Sequence, residues 1–170
     1  MLELLIIVLA LLCDQASKIW AANTLMAAPG QTLPIWQDVF HFSYYENRGA
    51  AFGILQGKQL FFSVLTVIAL VVIVYILLRY RKQMGTWLRV AFALMLSGAV
   101  GNFIDRIMLG YVRDFIDVRL IHFPVFNVAD MCLTISVIML AIHIFFFWKE
   151  EPQDKPQGNA DTAKGGDTTK

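Results

Sequence analysis

QLFFSVLTVIALVVIVYILL, residues 59–78, holds no charged side chain, no proline and no glycine. About 20 residues of helix, at 1.5 Å per residue, cross a hydrocarbon core of about 30 Å, so this stretch reads as a membrane span. Working outward, it is followed by Arg79, Arg81, Lys82 and Arg89, and then by an uncharged run from Val90 to Ile104 that ends in Asp105-Arg106. Met131 to Trp148 carries no charge beyond a neutral-capable His143, and Leu4 to Ala22 is interrupted by the charges of Asp14 and Lys18. Four spans are therefore expected, with the basic cluster between the second and third facing the cytoplasm, and with it both termini.

Composition agrees with a bilayer as solvent. Of 170 residues 58% are hydrophobic and 16% charged, the formal net charge is +1, and the mean hydropathy is +0.60. This is too apolar for an ordinary soluble domain, and no basic stripe marks a nucleic-acid partner. The two cysteines, Cys13 and Cys132, lie in separate apolar runs without CxxC spacing, and His41, His122 and His143 are scattered. Neither a disulfide framework nor a thiolate or histidine metal site is indicated. The N-terminal run follows Glu3 rather than a positive segment and continues past Asp14, which reads as a retained span rather than a cleaved leader.

The expected fold is thus an all-α membrane protein of four transmembrane helices over residues 1–148, with extracytoplasmic segments at 23–58 and 107–126. Val39 to Tyr45 partly alternates aromatic and polar residues, and Tyr111 to Val118 is strand-compatible, so a small surface β-structure is expected there. Residues 149–170 are rich in Pro, Gly, Asp and Lys and read as a disordered cytoplasmic tail.

The ionisable residues inside or beside the spans carry the functional question, because an isolated charge at the bilayer centre costs roughly 2.5–3.5 kcal/mol on insertion scales and needs a partner. Asp14 and Lys18 stand at i,i+4, and Gly98, Asn102 and Asp105 share a helix face at i, i+4 and i+7. Asp105 falls about 24 Å along the helix from Arg89, near the outer boundary, and Asp130 starts the return helix at that level. Asp114 lies in the connection between them, so Asp105, Asp114 and Asp130 can converge. Two carboxyls across a water can hydrolyse an amide when one is ionised and the other protonated, a division that like charges held close favour. Structural readings stand beside this one: Asn127 and Asp130 form a plausible helix cap, Asp105-Arg106 an interfacial ion pair, and Asp14-Lys18 a structural pair. Gly98 and Gly101 read as close-packing positions, Cys132 as a packing residue, and Trp20, Trp36, Trp87 and Trp148 as interfacial anchors. The intramembrane acids alone also fit a proton-coupled carrier, a non-catalytic adaptor or a divalent-metal hydrolase.

Five stretches occur in order between the four spans: Asp14-Gln15-Ala16-Ser17-Lys18; Asn47 to Gly53, NRGAAFG; Ser97 to Arg106, SGAVGNFIDR; Val112-Arg113-Asp114-Phe115-Ile116; and Phe126-Asn127-Val128-Ala129-Asp130. Together they resemble the lipoprotein signal peptidase (signal peptidase II) family of bacterial membrane aspartic proteases. Ser97 stands where that family often has a first glycine. The resemblance implies a four-helix bundle with a β-cradle, an Asp114/Asp130 catalytic dyad, and Asn47, Asn102, Arg106 and Asn127 as substrate-holding or dyad-orienting residues. It implies structural support from Asp14, Lys18, Asp105, Gly98 and Gly101, with Asp105 fixing Arg106 and the local backbone, and no metal or organic cofactor. The implied substrate is a diacylglyceryl-modified prolipoprotein, cut just before its lipidated cysteine at the outer face of the bacterial cytoplasmic (inner) membrane. Membrane lipid and the family inhibitor globomycin are the other expected partners, and a monomer the expected assembly. An external helix is expected in the second half of Asn47 to Lys58, and Gly49, Gly53 and Gly57 suggest a lid there.

Overall fold

The computed structural model describes residues 1–49 and 58–147. Four long helices and three short strands follow one another along these residues in the order α1 (Leu2–Leu25), β1 (Thr32–Trp36), β2 (Phe40–Asn47), α2 (Gln59–Tyr80), α3 (Thr86–Leu109), β3 (Val112–Val118) and α4 (Val128–Phe147). All four helices are long and apolar enough to cross a membrane. α3 extends the span read from sequence by about a turn at each end and the other three lie within three residues of theirs, since polar residues such as Asn23, Thr86 and Arg106 continue a helix whose apolar part is already formed. The expected tail at 149–170, the expected external helix and the lid glycines Gly53 and Gly57 lie outside the described residues.

The bundle is held unequally. α3 packs against α1, α2 and α4, while α2 touches chiefly α3 and turns Leu60, Val71 and Leu78 outward, as a helix in lipid can. At the end bearing the basic loop, Glu3 accepts hydrogen bonds from Arg81 at 3.0 and 3.1 Å and from Arg89, tying the start of α1 to the α2–α3 turn. The N-terminus and that turn therefore share one end of the bundle.

At the opposite end the strands form one antiparallel sheet in the order β1-β2-β3. β2 and β3 match the sequence reading closely; β1, which contains Pro34, occupies an edge where a missing backbone donor costs nothing. One face of the sheet rests on the end of α1: Tyr44 and Phe115 pack with Ala21 and Leu25, and the Trp20 and Phe42 rings meet edge-on at 5.2 Å. The other face carries His41, Ser43, Thr32 and Asp117, with the Ser43 hydroxyl donating to Asp117 at 2.7 Å. A bulge between Phe42 and Tyr45 shifts the β2–β3 register and pairs Tyr45 with Asp114 and Asn47 with Val112.

Candidate active site

Three local structures bring the polar residues together at the sheet end of the bundle. α3 ends at Gly110, whose φ of 78° gives the left-handed C-cap that turns the chain directly into β3. Phe126 then pairs with Ile116, its carbonyl accepting from Phe115 and Ile116 and its N–H donating back to Ile116. That short bridge pins the residue before Asn127 to β3, so α4 starts beside Asp114. Finally, Asn127 and Asp130 cap α4 reciprocally: the Asp130 N–H donates to Asn127 Oδ1 at 3.0 Å and the Asn127 N–H to Asp130 Oδ2 at 3.2 Å.

The cap reading and the site reading are not exclusive, because the same two side chains also reach inward. Asn127 Nδ2 donates to Asp114 Oδ1 at 2.6 Å, and Asn47 Nδ2 donates to Asp114 Oδ2 at 3.0 Å. Asn102 Nδ2 donates to Asp130 Oδ1 at 2.7 Å. Asp114 and Asp130 thus stand on either side of Asn127, and both line a cavity of about 940 Å³ with Asn47, Asn102, Arg106 and Phe126. Burial pushes the Asp114 carboxyl up to about 7; the neighbouring Asp130 charge works in the same direction, and the Asn47 and Asn127 amides oppose it. Arg106 lines the same cavity. Its guanidinium lies 5.8 Å over the Phe62 ring, and its buried Nε has no partner among the described residues.

Behind this pair lies a second layer of charge. Lys18, fully buried, meets Asp14 at 2.9 Å, Asn102 Oδ1 at 3.0 Å and Asp105 at 3.6 Å. Asp14 also accepts from the Ala129 N–H at 2.9 Å, which locks α1 to the first turn of α4. Asp105 is held by Arg113, through its side chain at 2.6 and 3.1 Å and its backbone N–H at 3.0 Å. The pairing of Asp105 with Arg106 expected from sequence is therefore replaced by one with Arg113 and Lys18, because β3 folds back and brings a bidentate partner over the helix end. Gln15 completes the layer, accepting from Arg113 at 3.2 Å and donating to Asp14 at 2.9 Å. Gly98 and Gly101 make room for it: a Cβ at Gly98 would stand 2.5 Å from the Ala129 carbonyl oxygen, and one at Gly101 2.5 Å from Asp14 Oδ2. Cys132 is buried on α4.

Sequence reasoning left out Arg113, Gln15 and Phe62. Charge balance holds the signal for Arg113: two buried acids, Asp14 and Asp105, with Lys18 alone require another cation at that level.

Residues 6–146 match the family model described as Signal peptidase (SPase) II. The chain belongs to the signal peptidase II family. The lipoprotein signal peptidase of Clostridioides difficile is 43% identical over 147 residues, covering 86% of this chain and 97% of that protein. That of Brevibacillus brevis is 47% identical over 121 residues, covering 71% and 80%. Two solved structures, described as a bacterial membrane enzyme by the in meso method, are similar to this one. The first, at 2.3 Å resolution, has a TM-score of 0.75 at 36% identity and covers 84% of this chain and 87% of its own. The second, at 1.9 Å, has a TM-score of 0.74 at 36% identity and covers 86% and 94%. With four membrane-crossing helices and this family, the chain is a multi-pass membrane peptidase; its signal peptidase II architecture is the four-helix bundle and three-stranded sheet described above.

Proposed function

We propose that this signal peptidase II family member removes the signal peptide from diacylglyceryl-modified prolipoproteins, cutting just before the lipidated cysteine, with Asp114 and Asp130 activating water between them. The observation that carries this reading is the placement of two carboxyls, Asp114 buried and Asp130 half-buried, bridged by Asn127, on the wall of one large cavity at the sheet end of the bundle. One carboxylate takes a proton from water as its oxygen attacks the scissile carbonyl. The other, protonated, donates to the carbonyl oxygen, and a proton then passes to the leaving amine. The Asp114 value of about 7 suits a carboxyl that keeps its proton near neutrality.

Asn47, Asn102 and Asn127 orient the pair through the amide bonds given above. Arg106, with an unpartnered Nε at the cavity, holds a carbonyl of the bound peptide. The cavity wall joins these polar groups to Met131, Leu133 and Ile135 of α4, so a scissile bond lies at the polar end while acyl chains remain along the apolar helix face. The basic α2–α3 turn sets the orientation in the bacterial cytoplasmic membrane: both termini inside, and the sheet and cavity at the outer face. Globomycin is expected to compete for the same cavity, and the working unit is one chain.

The test compares cleavage of a diacylglyceryl-modified precursor with that of the unmodified one, with EDTA present, by wild type, Asp114→Asn and Asp130→Asn, each checked by thermal melting. Cleavage of the lipidated form alone, lost in both folded variants, is the expected result. Turnover that survives in the variants removes the dyad, and sensitivity to EDTA moves the reading to a metal-dependent hydrolase.

A further inference from the structure

The two carboxyls are not equivalent in their surroundings, and the difference traces to a residue that touches neither of them. Lysine carries three donors and no acceptor, so the Asn102 atom 3.0 Å from Lys18 Nζ is necessarily the amide oxygen. Asn127 Nδ2 approaches the same oxygen at 3.2 Å, and the orientation of Asn127 is fixed independently by the Asp130 N–H on its Oδ1. With its oxygen facing two donors, Asn102 can only present its NH₂ to Asp130, and it does so at 2.7 Å.

Asp130 thus receives a backbone N–H, which cannot rotate, and an amide whose rotation Lys18 opposes together with Asn127, at the N-terminus of α4 where the helix dipole favours negative charge. Asp114, in a strand, has two side-chain amides and no helix end. The charged groups facing the pair are Arg106 and Asp105 from α3, Lys18 and Asp14 from α1, Arg113 from β3, and, on the cavity wall at the end of β2, Glu46 and Arg48, which neutralise each other as an ion pair. Lys18 and Arg113 balance Asp14 and Asp105, which leaves Arg106 to be matched by a single negative charge on the pair.

Resting on the dyad reading above, we propose that Lys18 is a positioning residue that holds the Asn102 amide in one orientation and thereby makes Asp130 the ionised base and Asp114 the protonated acid. The value of about 7 at Asp114 agrees with that division. In the reaction Asp130 takes a proton from water as the water oxygen bonds to the scissile carbon, and Asp114 gives its proton to the carbonyl oxygen. As the C–N bond breaks, Asp130 passes its proton to the amine, and the proton on oxygen returns to Asp114 as the carbonyl re-forms.

Two measurements on the full chain in lipid test this. Near about pH 6, below the Asp114 value of about 7, infrared spectra of the wild type should contain a protonated-carboxyl stretch that Asp114→Asn abolishes and Asp130→Asn retains. The reverse pattern overturns the proposal, and this arm needs no change at Lys18. In the second, pH profiles of kcat/KM are compared for wild type, Lys18→Met and the charge-balanced pair Lys18→Met/Asp14→Asn. With only Asn127 left on its oxygen, Asn102 is held less firmly and can turn that oxygen toward Asp130, so the acidic limb should move up by about one pH unit and kcat fall about tenfold, with KM nearly unchanged. A loss equal at every pH that follows the melting temperature assigns Lys18 a purely structural role and overturns the proposal. Turnover surviving in folded Asp114→Asn or Asp130→Asn is a distinct result, which removes the dyad reading itself.

Discussion

α2 and α3 are neighbours of similar length and opposite character. α2 has a mean hydropathy of 3.0 in its most apolar window and 6% of that window buried; the values for α3 are 1.5 and 33%. The helix easiest to find in the sequence gives the site one aromatic ring, Phe62 under Arg106, whereas the least apolar of the four carries Gly98, Gly101, Asn102, Asp105 and Arg106. The contrast has a physical cause. In lipid, apolar contact between helices gains little over contact with acyl chains, so a helix made only of Leu, Val and Ile spans without specifying its neighbours. Small residues and satisfied polar groups specify them, at the expense of hydropathy.

The largest effect that would break this contrast lies in the polar layer. Asp114→Asn and Asp130→Asn should each lower turnover of a lipidated precursor by about 10³-fold, in the middle of the range for lost general acid–base catalysis, with folding intact. Single-turnover assays on purified protein read this directly. Next, Arg113→Met should cost about 3–5 kcal/mol of stability by stranding the buried Asp105 carboxylate. Arg113→Lys should recover part of it, the bidentate geometry being lost. An Arg113→Met protein that melts like the wild type would show that the layer behind Asp114 and Asp130 is not what organises the bundle.

Much of this architecture was legible before any coordinates. Uninterrupted apolar length reveals spans whatever they pack against, and partial alternation placed β2, and strand-compatible composition β3, to within two residues at each end. The helical spacing of Gly98, Asn102 and Asp105 marked the buried face of α3 because that face alone interrupts the hydropathy. Pairing across elements was not legible. Asp105 and Arg106 are adjacent in sequence but leave the helix in different directions, and the true partner of Asp105 comes from a strand that returns over the helix end. Charge balance could have called for another cation; only the turn at Gly110 decides that it is Arg113.

Protonation gives the next sharpening. The Asp114 value of about 7 lies above the unfolded carboxylate value near 3.8, so the native state binds more protons than the unfolded chain between these pH values. Its contribution to stability is fully present below about pH 4 and is lost as pH rises through about 7. Relative to Asp114→Asn, the wild type should therefore lose on the order of 5 °C in melting temperature across that window. A flat difference would mean that the Asp114 carboxyl is not held protonated by the fold, and kcat/KM should then show no decline above about pH 7.

The smallest effects test the two helices against each other. A methyl group at Gly98 has no room, with the Ala129 carbonyl oxygen at 2.5 Å and Leu133 Cγ at 2.8 Å, so α3 and α4 must part. Overpacking of this kind costs about 1–3 kcal/mol. Because Ala129 is the residue before Asp130, the displacement also pulls Asp130 from Asn102, and turnover should fall more than stability does. On α2, Val71 is 64% exposed and removing its two methyls leaves lipid to fill the space, so Val71→Ala should change stability by less than about 0.5 kcal/mol and leave turnover unchanged. Melting curves and turnover of the two variants in the same lipid decide the matter. If Val71→Ala proves as damaging as Gly98→Ala, α2 is doing more than spanning, and its exposed face must be covered in the working enzyme.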